Sequence, residues 1–215
     1  RIRFQDIADV GFTGFVVDIA MIASTFFLGY HLGIRVLRMD RETSALVSVG
    51  ASICGAAAVL ATESVVKAKA HQSAIAVACV VVFGTIAMFL YPAIQDWTNL
   101  SPRAMGIYTG ATVHEVAQVV AAGNAMGSQV EATAIVVKLT RVMMLAPFLL
   151  LLSFALSFSR GGKQQIRTPI IIPWFAVLFV VASAVTSTNI FSAETLHSLE
   201  RFDTFLLAMA MAALG

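Results

Sequence analysis

The chain has 215 residues, of which 59% are hydrophobic and 12% charged, with a formal net charge of +2. Soluble domains run at roughly 45–50% apolar and about 25% charged residues, so this composition excludes a soluble globular protein and implies an integral membrane one. The charges gather in clusters and leave apolar runs of about 18 residues or more, roughly what one helix needs to cross a hydrocarbon core and a pattern that β-barrels lack.

Seven such segments follow one another, at about residues 10–34, 45–61, 73–94, 104–122, 132–158, 170–187 and 202–215. The first, third, fifth and sixth are rich in Val, Ile, Leu, Phe and Met and read as ordinary spans. Segments two and four differ, because Gly, Ala, Ser and Thr crowd their first halves. They also repeat each other: residues 50–61 (GASICGAAAVLA) and 110–121 (GATVHEVAQVVA) share five of twelve positions. The match resumes without a gap where residues 73–77 (SAIAV) lie opposite 133–137 (TAIVV). A gapless duplication inside an apolar chain predicts an all-α, polytopic transmembrane bundle with an internal repeat, its copies at about 45–94 and 104–158 of a single domain.

Loop charges choose between topologies. Arg35, Arg38 and Arg41 follow segment one, and Arg160, Lys163 and Arg167 follow segment five, so both loops are expected on the cytoplasmic side. Parity holds if all four intervening segments cross, but Lys67 and Lys69 then fall outside. If segments two and four dip in and return, parity also holds and those lysines stay inside. That second topology makes the repeat inverted, with one full span between two re-entrant copies, and the charge bias favours it. Helix breaks are expected at Gly50, Gly55 and Gly110, with Gly106 and Gly123 as further candidates. Gly29/Gly33 and Gly106/Gly110 also have the spacing of close helix packing.

An ionisable pair within an apolar segment is costly, which makes His114 and Glu115 the first functional candidates, with Gln118 one turn away; an ion-coupling role is expected for the three. The alternative is a structural clamp in which Arg141 or Lys138 holds Glu115. His-Glu-x-x-Gln also resembles the zinc-protease motif His-Glu-x-x-His, but Gln118 is a poor zinc ligand, and His31, His71 and His197 bring no spaced carboxylate. No metal, cofactor or enzymatic activity is therefore expected. Cys54 and Cys79 have neither disulfide nor metal-type spacing.

Lys138 and Arg141, three residues apart on one helix face, suit an anion unless they snorkel to the headgroups. Ser52 and Thr112 match in the repeat, so each is a candidate ligand donor or simply bonds a preceding carbonyl of its own helix. Glu63 is expected to pair with Lys67 at i,i+4, Asp18 to face the interior, and Trp97, Tyr91, Tyr108 and Trp174 to anchor the interface.

The stretches GASICGAAAVLATE (50–63), FLYPAI (89–94), TVHEVAQVVAAG (112–123), RVMMLAPF (141–148), IPWF (172–175) and DTFLLAMAMAALG (203–215) resemble the YeiH family of bacterial inner-membrane proteins, the UPF0324 group. The resemblance runs along essentially the whole chain. It implies a bacterial plasma-membrane location, a longer parent of which this chain is an internal fragment, and an anion-export role with sulfate as the predicted cargo. It supplies no binding residues.

The residues lead to the expectation of an alternating-access carrier for a small anion, with Ser52, Thr112, Lys138 and Arg141 binding it and H⁺ or Na⁺ as coupling ion; that the anion is sulfate, sulfite or a relative is what the resemblance implies. The alternatives are a cation-coupled organic-anion carrier and a non-transporting membrane enzyme or sensor. The lipid bilayer is the expected partner, nucleic acid is not, and a homo-oligomer stays open.

Overall fold

The computed structural model describes residues 4–159 continuously, together with Val185, Leu199, Phe202, Phe205 and Met209. Most of the segments expected at 170–187 and 202–215, the basic cluster at Arg160, Lys163 and Arg167, and Trp174 lie outside the described residues. Eight helices fill the continuous stretch: α1 (Phe4–Arg35), α2 (Arg41–Ser52), α3 (Ala56–Val66), α4 (Ala70–Thr98), α5 (Pro102–Thr112), α6 (Val116–Met126), α7 (Ser128–Met143) and α8 (Leu145–Ser159).

Among the described residues, three stretches are long and apolar enough to cross a membrane, at Gly14–Arg35, Ala70–Thr98 and Ser128–Leu156. The last joins α7 to α8 across Met144. Pro147 has no N–H to donate to the carbonyl four residues back, so the helix tightens there and Met144 N bonds to Arg141 O at 3.0 Å.

Between these spans, each repeat copy opens with a helical hairpin. Asp40, the N-cap of α2, accepts from Thr43 N at 2.8 Å and from Gln72 Nε2 at 2.6 Å, so α2 and α4 start at the same end of the bundle. The Thr43 N–H holds the Asp40 carboxyl below the usual carboxylate range. α3 then runs back along α2: Gly50 lies over Val59 and Val80, while Ala45 and Leu46, near the start of α2, cluster with Val66, at the end of α3, and with Ala76.

The second copy mirrors this from the opposite end. Along α7, Gly106 packs on Val130 and Thr133 and Gly110 on Val137, so α5 runs parallel to α7. On α6, Val119 meets Ala134 and Gly123 meets Glu131, which makes α6 antiparallel to it. Met105 and Met126 consequently share one cluster, and Gln95 near the end of α4 donates to Met126 O at 3.5 Å. The hairpins therefore enter from opposite ends with α4 between them, which is the re-entrant topology that the loop charges favour.

Only one of the three expected glycine breaks is a break. Gly50 and Gly110 lie inside α2 and α5, where a Cβ would come within 2.7 Å of Val59 and 2.9 Å of Val137, so they admit a neighbouring helix rather than interrupt their own. Gly106 and Gly123 are packing glycines in the same way. Gly29 and Gly33 also fit the packing reading, against Ser48 and Ser44 of α2. The chain turns instead at Ile53-Cys54-Gly55 and at Val113-His114-Glu115. Gly55 takes φ +69°, a conformation that disfavours a side chain. Val113 and Glu115 are extended, and no glycine is needed because other residues satisfy the freed backbone groups.

Candidate functional site

The two tips meet at the centre of the bundle, and Lys138 of α7 joins them. Its Nζ donates to Ile53 O at 2.8 Å and to Val113 O at 2.6 Å. These carbonyls occupy matching positions of the repeat, and each stands at the carboxyl end of its half-helix as the C-cap residue. A helix C-terminus carries roughly half a negative charge, so two of them together are offset by about one ammonium. Lys138 is 0% exposed and Arg141 1%, which rules out snorkelling for both.

Glu115 makes the second tie. Its Oε1 accepts from Ala56 N at 3.2 Å, so the carboxylate of one hairpin caps the first helical residue of the other. The position matching Glu115 in the first copy is Gly55, and a Cβ there would lie 2.6 Å from Glu115 Cγ. Only one of the two matching positions can carry a side chain, because both fall where the tips cross.

The structural clamp does not form as expected. Arg141 pairs with Asp18, Nε to Oδ1 at 3.0 Å, and Asp18 is itself 0% exposed. Sequence reading placed Asp18 in the interior but missed its partner, 123 residues away, since nothing local links α1 to α7. Gln118 turns toward α4, donating to Val81 O and Thr85 Oγ1, each at 3.3 Å, while its Oε1 accepts from Glu115 N at 3.2 Å. It therefore steadies the second tip rather than standing with His114. His114 and Glu115 are neighbours in the tip without a hydrogen bond between them among the described residues, and His114 Nδ1 is buried with no partner there.

Ser52 and Thr112 take the commoner fate of membrane hydroxyls, bonding Val49 O at 3.0 Å and Tyr108 O at 2.6 Å of their own helices. Glu63 and Lys67 form no ion pair, because Lys67 ends α3 in the left-handed conformation and leaves the helical i,i+4 register. Tyr91 and Tyr108 pack against each other with ring centroids 5.0 Å apart and planes tilted by 33°, and Trp97, 82% exposed near the end of α4, is placed as an interfacial anchor is.

A polytopic helical chain whose two discontinuous hairpins meet around a buried lysine defines a class: multi-pass membrane proteins with a polar centre at bilayer depth. The family model described as "Conserved hypothetical protein 698" matches residues 1–215, and the chain belongs to that family, UPF0324. It is 51% identical over 217 residues to the UPF0324 inner membrane protein YeiH of Escherichia coli K12, covering 100% of this chain and 62% of the relative. Identity to the UPF0324 membrane protein PA5383 of Pseudomonas aeruginosa is 52% over 223 residues, with 100% and 63% covered. The chain thus spans less than two thirds of these relatives; its membrane-length helices and its kinship to a named inner membrane protein make it a multi-pass inner-membrane protein. No solved structure matches it.

Proposed function

We propose that the chain forms the transport core of a secondary carrier for a small anion, sulfate or sulfite, whose two hairpins open in turn to opposite faces. The observation that carries this reading is the single ammonium of Lys138 on equivalent carbonyls of both tips. Interrupted backbone at membrane depth is tolerated where protein or a water-filled path satisfies it, and paired interruptions in opposite orientation are how many carriers build a midplane site.

Lys138 and Arg141 supply positive charge, and the amino ends of α3 and α6 at the tips add oriented N–H groups. Ser52 and Thr112 would join the ligand only by turning away from their own helices. Glu115 is the coupling group: protonation removes the charge that holds it on Ala56 N and loosens one of the two ties between the hairpins. A cation-coupled organic-anion carrier is the second reading. It is favoured by the Glu115 carboxylate, which has no cationic side-chain partner among the described residues and could hold Na⁺.

The test is counterflow of radiolabelled sulfate and sulfite in proteoliposomes, with and without Na⁺, wild type beside Glu115→Gln. Saturable flux that falls or loses its pH dependence in the variant is the expected result. A strict Na⁺ requirement would favour the second reading. No flux of any anion by folded protein would overturn both and leave a non-transporting membrane protein.

A further inference from the structure

The Asp18–Arg141 pair between α1 and α7 is only half closed. Its one bond runs from Nε to Oδ1 at 3.0 Å, and the remaining carboxylate oxygen, Oδ2, and the guanidinium nitrogen Nη2 are both buried without a hydrogen-bond partner among the described residues. The two side chains are 0% and 2% exposed. In a guanidinium, the Nε–H and one Nη2–H lie along the same edge, so an arginine facing a carboxylate ordinarily closes two parallel bonds there. Buried polar atoms without partners are rare in native proteins and each asks for an explanation. Here a donor and an acceptor belonging to one ion pair are both unused, and both are buried away from bulk water.

A ligand that satisfies both must accept from Nη2 and donate toward Oδ2. An oxyanion oxygen can accept from Nη2, but a second oxygen of the same anion would then face Oδ2, and two negative oxygens repel unless a proton lies between them. The charges agree. Among the described residues the buried charged side chains are Asp18, Glu115, Lys138 and Arg141, two of each sign. An anion entering alone leaves negative charge uncompensated in a low-dielectric centre, and one accompanying proton removes a unit of it.

We propose that Asp18 and Arg141 form a site where a small oxyanion and one proton bind together, the anion on Arg141 Nη2 and the proton shared with Asp18 Oδ2. This rests on the anion-carrier reading and adds a second protonation site to Glu115. No covalent bond other than O–H is made: the proton comes from the medium and returns to it when the anion leaves. The ionisable groups facing this site are Arg141 and Lys138 on α7, with Cys54 of the first tip and His114 and Glu115 of the second nearby. The charged residues of α2 and α5 stand at the outer ends of those helices, as Arg41, Glu42 and Arg103, and Tyr108 of α5 is turned to Tyr91.

Sulfate is the informative probe, because it carries no proton of its own near neutral pH. The full chain in detergent is mixed with sodium sulfate in weakly buffered medium, and proton uptake is read with a pH indicator beside binding of the radiolabelled anion. Wild type is expected to take up about one proton per sulfate bound, with affinity falling about tenfold per pH unit on the alkaline side. In Asp18→Asn the amide donates where the shared proton lay, so binding should persist without proton uptake and without that slope. Sulfate binding to wild type with no proton uptake, or an unchanged slope in Asp18→Asn, overturns the proposal and leaves the carrier reading standing. If Asp18→Asn does not fold, infrared difference spectra of wild type decide: a protonated-carboxyl band induced by sulfate supports the site, and its absence overturns it. No binding of sulfate, sulfite or phosphate at any pH removes the carrier reading and this site with it.

Discussion

Replacing Lys138 by Met keeps most of the side chain's length and apolar stem while deleting the ammonium that joins the hairpin tips. Two carbonyls, Ile53 O and Val113 O, lose a charge-assisted hydrogen bond at the centre of the bundle. Each buried acceptor left unpaired costs about 1–3 kcal/mol, so the pair costs roughly 2–6 kcal/mol, and the loss of about one positive charge between two helix C-termini acts in the same direction. For a domain of this size that is a fall in unfolding midpoint on the order of 10 °C. Thermal unfolding in detergent, followed by reactivity of the buried Cys54 thiol, measures it. Lys67→Met, at an exposed helix end, is the control and should stay within about 0.5 kcal/mol of wild type. If Lys138→Met unfolds within about 2 °C of wild type, the ammonium does not hold the tips together and the joining role given to Lys138 is wrong.

Three other outcomes follow from the same geometry. Gly55→Ala drives a Cβ toward Glu115 Cγ and strains a φ of +69°, costing about 1–3 kcal/mol; in a double-mutant cycle with Glu115→Ala the shared collision should appear as a coupling of about 1 kcal/mol, and strict additivity would refute the contact. Gly110→Ala meets the α7 backbone at Ala134 O and should destabilise by about 1–3 kcal/mol, whereas a neutral result in the unfolding assay would contradict the α5–α7 approach. Asp40 has a carboxyl pKa lowered chiefly by the Thr43 N–H, so its charge contributes stability above the unfolded-state pKa of about 3.9 and loses it as pH falls through the lower folded value. The gap in unfolding midpoint between wild type and Asp40→Asn should therefore be constant from pH 7 to 5 and close below about pH 4, and a gap that widens in acid would reverse the sign of this argument.

The sequence by itself determined that the chain is a helical membrane protein with a duplicated unit, because hydrophobic length and a 60-residue self-match are local or nearly local properties. It also pointed to the region where the centre lies, since His114, Glu115, Lys138 and Arg141 are expensive at membrane depth wherever they face. Gly55 was legible as a break and Gly50 and Gly110 were misleading, because a glycine in an apolar segment serves both a turn and a close helix contact, and only the neighbour decides which. What the tertiary structure decided were the partners. Asp18 meets Arg141 across 123 residues and Lys138 meets Ile53 across 85, and no periodicity encodes such distances. The second tip, at Val113-His114-Glu115, holds no glycine or proline and leaves no breaker signal. It exists because Lys138 and Gln118 satisfy the backbone groups that the turn exposes, and those bonds form only once α7 and the two hairpins have packed.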